Sequence, residues 1–193
     1  DLWDSGSVGS VPGPDALHDT TWRWHWGEGA LASAGSVDPA SWAALGGEDE
    51  GAALAAAYDI AGAGPEVARD LVDVLSGPSE NAARNASYAL TAMGRGAAVE
   101  VARALSHETA AGRARAAEAL GDMGLAAADA LPSLLDAATD SEATVRRHAV
   151  EALGVVGQSS AAPTPALSTA LSDEDERVRR NAAVALARLG VNA

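Results

Sequence analysis

The residues able to carry chemistry are few, and their spacing limits what they can do. The 193-residue chain has four histidines, His18, His25, His107 and His148, and no cysteine. Without cysteine there is no disulfide, no thiolate metal site and no Cys nucleophile. Two histidines at i and i+4 on one helix would present a metal-binding pair, and no such pair occurs. His18-Asp19 with His25 could supply part of a metal site, but the surrounding stretch has no ligand frame. No serine sits in a G-x-S-x-G elbow, and the Gly-rich stretch 61–65 (AGAGP) lacks the lysine of a phosphate loop. The expectation is therefore a chain with no catalytic residue, no metal and no cofactor of its own. The Asn85-Ala86-Ser87 sequon falls within a predicted helix and is read as accidental.

All 13 cations are arginine, set against 27 Asp+Glu for a net charge of −14. Such a balance disfavours sequence-independent binding to a phosphate backbone, so nucleic acid is not an expected partner. No apolar run approaches the roughly 18 residues needed to span a membrane. The sequence opens on Asp1 rather than Met and reads as a processed chain or a fragment, with its compartment unspecified. The 48 alanines leave few large apolar side chains, which suits closely packed helices better than a deep globular core.

The elements that would position these residues emerge from self-similarity. Windows 79–94, 109–124, 142–157 and 175–190 share one frame, ending on Gly94, Gly124, Gly157 and Gly190 at intervals of 30, 33 and 33. Eight residues before each glycine stands Ala86, Ala116, Ala149 or Ala182; five before, Ala89, Ala119, Ala152 or Ala185; four before, Leu90, Leu120, Leu153 or Leu186. Offsets −8, −5, −4 and −1 trace one stripe of a helix. The closing glycine predicts a left-handed residue that ends it. A degenerate fifth window covers 49–64. A shorter apolar segment precedes each of the last four windows (65–76, 97–107, 129–139 and 162–172), joined to it by a polar turn rich in helix-capping residues. The unit is helix, turn, helix, glycine, and only stacking of units can bury such stripes.

The phrases DSEATVRRHAVEALGVVG (140–157) and DEDERVRRNAAVALARLG (173–190) resemble the HEAT repeat of the short, phycobilisome-lyase-like type. The resemblance extends over residues 38–193. It implies an all-α fold, an α-α superhelix of about five helix pairs, with the second helices lining a concave face. It also implies a scaffold, adaptor or regulatory module that binds another protein. One enzyme group with these repeats, the deoxyhypusine hydroxylases, binds iron through several His-Glu pairs. This chain has the single pair His107-Glu108, expected in a solvated turn. Two alternatives come with the resemblance: the C-terminal, non-catalytic part of a larger enzyme, or a bilin lyase-like or chaperone protein.

The arginines follow the repeat. Arg84, Arg147 and Arg180 stand ten residues before their glycines, Arg146 and Arg179 eleven before, and Arg113 and Arg115 flank Ala114 in the third repeat. One expectation is a ladder in which a row of arginines pairs with turn carboxylates, with Asp140 and Asp173 seven residues ahead of Arg147 and Arg180. The other is a basic stripe, Arg113, Arg115, Arg146, Arg147, Arg179 and Arg180, that takes an acidic peptide or segment of a partner. Residues 1–37 differ in composition: a Gly/Ser/Pro-rich stretch precedes TTWRWHWGEG (20–29), where Trp22, Trp24 and Trp26 alternate with polar residues. This Trp-rich, non-repeat segment is expected to cap the first repeat. A second partner-binding site at Trp22, Trp24 and Trp26, or the tail of an upstream domain, are the other readings.

Overall fold

The computed structural model describes residues 37–190, and these form helices with no strand among them. Ten α-helices follow in order: α1 (Pro39–Ala44), α2 (Glu50–Gly62), α3 (Ala68–Ser76), α4 (Glu80–Met93), α5 (Arg95–Arg103), α6 (Ala110–Met123), α7 (Leu131–Ala137), α8 (Ala143–Val156), α9 (Thr164–Ala170) and α10 (Glu176–Arg188). They make five pairs, each a short first helix and a longer second one. Three of the first helices carry a 3-10 turn at one end, Pro65–Val67 before α3, Ala104–Ser106 after α5 and Gly124–Ala130 before α7, and a further one, Gly157–Ser159, follows α8. Pro65, Pro132 and Pro165, in the first turns of the 65–67 segment, α7 and α9, have no N–H to lose there. Asp49, Ser79, Thr109 and Asp175 cap α2, α4, α6 and α10 by accepting backbone N–H groups of the first turn.

The predicted stripe is the core. At offsets −8, −5 and −4 all twelve Ala and Leu side chains of the last four second helices are at most 1% exposed. Each buried Leu removes enough apolar surface from water to contribute about 2 kcal/mol. The second helices lie against one another more extensively than the first helices do. This closeness comes from missing side chains. Three residues before the closing glycine, α6 has Gly121 and α8 has Gly154. Alanine five before the glycine of the next repeat fills that space, Ala152 against Gly121 and Ala185 against Gly154.

Three of the closing glycines adopt positive φ as expected: Gly94 (57°), Gly124 (57°) and Gly190 (73°). Gly157 does not, with φ −82°. It continues into a 3-10 turn, and its lack of a side chain serves packing, because a Cβ there would lie 2.3 Å from Pro163 Cγ.

Candidate functional site: the surface of the second helices

Two adjacent arginine rows have opposite fates. At offset −11, Arg113 donates from Nε and Nη2 to the two carboxylate oxygens of Asp140, at 2.7 and 2.9 Å. Arg146 does the same to Asp173, at 2.8 and 2.9 Å. In each case the remaining Nη1 donates to two carbonyls of the turn before its own helix: His107 and Glu108 for Arg113, Asp140 and Ser141 for Arg146. Arg179 makes the same pair of carbonyl bonds, to Asp173 and Glu174. Each full rung thus ties an arginine to its own turn and to the turn of the next repeat, 27 residues on.

This corrects the expectation that Asp140 and Asp173 serve Arg147 and Arg180. Their partners are Arg113 and Arg146, which stand one offset earlier in the repeat frame and in the preceding repeat. Arg113 and Arg146, expected on a partner-binding stripe, are instead held inside the ladder with side chains 16% and 9% exposed. Bidentate geometry and burial make these pairs stronger than surface ion pairs. The arginine hydrogen bonds, joined by a backbone N–H from Glu142 or Asp175, hold Asp140 and Asp173 below the usual carboxylate range.

At offset −10 the arginines join no rung. Arg84 and Arg180 are exposed, bonded only to residues of their own helices, Asn81 and Glu176. Arg147 is half-buried and donates to Nε2 of His148 at 2.7 Å. Burial, and then the Arg147 charge, push His148 below the ordinary imidazole value. Arg115, at offset −9, is pinned by Nη1 to the carbonyls of Leu75 and Gly77. Asn85 holds the same offset in α4. It is buried, with its amide donating to the carbonyls of Leu45 and Asn81, which leaves the sequon no access for a glycan.

The repeats do not stack evenly. In α4 the ladder position holds Ala83 and the close-approach position holds Thr91, where α6 and α8 have Arg and Gly. The α4–α6 joint is correspondingly looser than α6–α8, and a groove of about 390 Å³ opens there. Its floor is Leu75 and Ala83; Arg84 and Tyr88 stand on the α4 wall, Arg115, Glu118 and Asp122 on the α6 wall. Tyr88 is 46% exposed. Sequence reasoning passed over Tyr88, Glu118 and Asp122; the usable signal was the departure of Ala83 and Thr91 from the repeat.

His107 lies in the α5–α6 turn, its Nδ1 accepting the N–H of Thr109. Among the described residues no group of three His, Asp or Glu is placed to hold a metal ion. No described helix is long and apolar enough to cross a membrane. Trp22, Trp24 and Trp26 lie outside the described residues.

Comparison with known proteins agrees with this architecture. The family model described as HEAT repeats matches residues 98–164 and 131–193. Among solved structures, the complex of CpcE and CpcF of phycocyanin lyase from Nostoc sp. PCC7120 is similar over 76% of this chain and 96% of that chain, at 23% identity and a TM-score of 0.57. An engineered protein from a structural genomics consortium is similar over 78% of this chain, at 21% identity and a TM-score of 0.48. The chain spans 61% of that protein's length. Human deoxyhypusine hydroxylase in complex with glycerol is similar over 79% of this chain and 73% of that chain, at 20% identity and a TM-score of 0.49. No curated sequence matches the chain. The repeat frame, the helix pairs and the family match agree: the chain is a member of the HEAT-repeat family.

Proposed function

We propose that this protein is a non-catalytic interaction scaffold that takes a partner protein on the surface of its second helices. The observation that carries the reading is the division of labour between neighbouring arginine rows. The −11 row is consumed by the ladder, whereas Arg84, Arg147 and Arg180 take no carboxylate from the next repeat, and Arg84 and Arg180 are exposed. On a chain of net charge −14, a cationic row of this kind is a local exception that selects an acidic segment of the partner. Arginine suits the task because its planar fork meets a carboxylate bidentately.

The reading is tested by charge reversal. The double variant Arg147→Glu, Arg180→Glu should keep the helical circular dichroism and melting behaviour of the wild type, since neither side chain joins a rung. It should lose partner capture from cells of the source organism. A folded double variant that captures the same partner at undiminished yield would overturn the proposal.

A further inference from the structure

The groove between α4 and α6 has a polarity that the repeat pattern does not require. Arg84 and Arg115 stand on opposite walls near its N-terminal end, with Glu80 at the mouth; Glu118 and then Asp122 follow along α6. None of these side chains forms an ion pair among the described residues, although pairs are common elsewhere on this protein. Arg115 is moreover preorganised: the two carbonyl bonds from Nη1 fix the guanidinium without neutralising it. Tyr88 stands between the two ends and offers an exposed aromatic face, the side-chain type most often found anchoring interfaces.

The spacing sets what fits. Seven helical residues separate Arg115 from Asp122, about 10.5 Å at 1.5 Å per residue. An extended peptide advances about 3.3 Å per residue, so three residues cover that distance. We infer that the α4–α6 groove binds an extended segment of a partner protein that carries an acidic residue and, three positions away, a basic one. The carboxylate lies between Arg84 and Arg115, the cation against Glu118 and Asp122, and the backbone passes Tyr88. This inference rests on the reading of the second-helix surface as the partner-binding side and specifies the partner segment there.

The test is a selection of random octapeptides displayed on phage against the immobilised full chain, followed by anisotropy measurements with the enriched peptide. The expected enrichment is an acidic and a basic residue separated by two others. Asp122→Lys, at an exposed rim position, should weaken the selected peptide at least tenfold and remove the preference for the basic residue while preserving the acidic one. Enrichment without that spacing, no enrichment at all, or unchanged affinity in Asp122→Lys would overturn the inference. If Arg147→Glu, Arg180→Glu abolishes binding where Asp122→Lys does not, the groove assignment fails and the wider second-helix reading stands. If neither alters binding, both fail.

Discussion

Gly121 and Gly154 occupy the same place in successive repeats, yet alanine should act on them with opposite sign. In a helix interior, Gly→Ala gains up to about 1 kcal/mol from backbone entropy. What offsets it is the neighbouring helix. A Cβ at 121 would sit 3.4 Å from Ala152 Cα and Cβ, close to ordinary van der Waals contact. A Cβ at 154 would sit 2.6 Å from Ala185 Cβ and 2.7 Å from its Cα, so α10 must retreat by the better part of an ångström. Overpacking of this kind costs about 1–3 kcal/mol, occasionally more. Gly121→Ala should therefore stabilise by about 0.5–1 kcal/mol, and Gly154→Ala destabilise by a net of about 1–2 kcal/mol. For a chain of this size each kcal/mol moves the melting temperature by about 2–4 °C. Urea titration followed by far-ultraviolet circular dichroism resolves both effects. Equal signs for the two substitutions, or a neutral Gly154→Ala, would refute the account of how α8 and α10 approach.

Three more expectations follow from the charges. Arg146→Met should destabilise by about 3 kcal/mol, the low end for breaking a buried pair, because the turn carbonyls it abandons can reach water. The depressed Asp140 and Asp173 contribute stability that is present above the unfolded-state carboxylate pKa of about 4 and lost as pH falls through their lower folded values. Acid titration of stability should thus show a decline below about pH 4, shallower in Asp173→Asn. Asp122 has the opposite sign: desolvation first, then Glu118 and Glu151, push its carboxyl up. The folded state binds that proton more tightly, so its charge weakens the fold as pH rises above about 4. Asp122→Asn should be modestly stabilising at neutral pH, by less than about 1 kcal/mol for so exposed a group, and without effect at pH 3 when both states are protonated. A calorimetric series across pH checks both signs.

Much of this architecture was legible from residue spacing, because a buried helical stripe must repeat at offsets near 3.6 and the small Ala and large Leu positions recur in register. The ladder was legible in kind but not in register. Neighbouring arginines on a helix point about 100° apart, and spacing within one window does not say which of Arg146 and Arg147 meets the next turn. The relation between repeats does. In α6 Arg113 is followed 27 residues later by Asp140 and has alanine beside it at 114, and Arg146, 27 residues before Asp173, keeps that register. Gly157 was misjudged for a related reason. A glycine that ends a helix and a glycine that admits a proline ring leave the same mark in one sequence, and only the placement of Pro163 separates them. The groove was hidden because it arises from two absences, the missing arginine at Ala83 and the missing glycine at Thr91.

The central claim, that partners dock on the second helices, is tested most directly by site-specific photo-crosslinking. A benzophenone amino acid in place of Tyr88 or Glu151, exposed on α4 and α8, should crosslink to the partner. The same group in place of Val99 or Leu125, exposed on the first-helix side, should not. Crosslinks from 99 and 125 with none from 88 and 151 would contradict it.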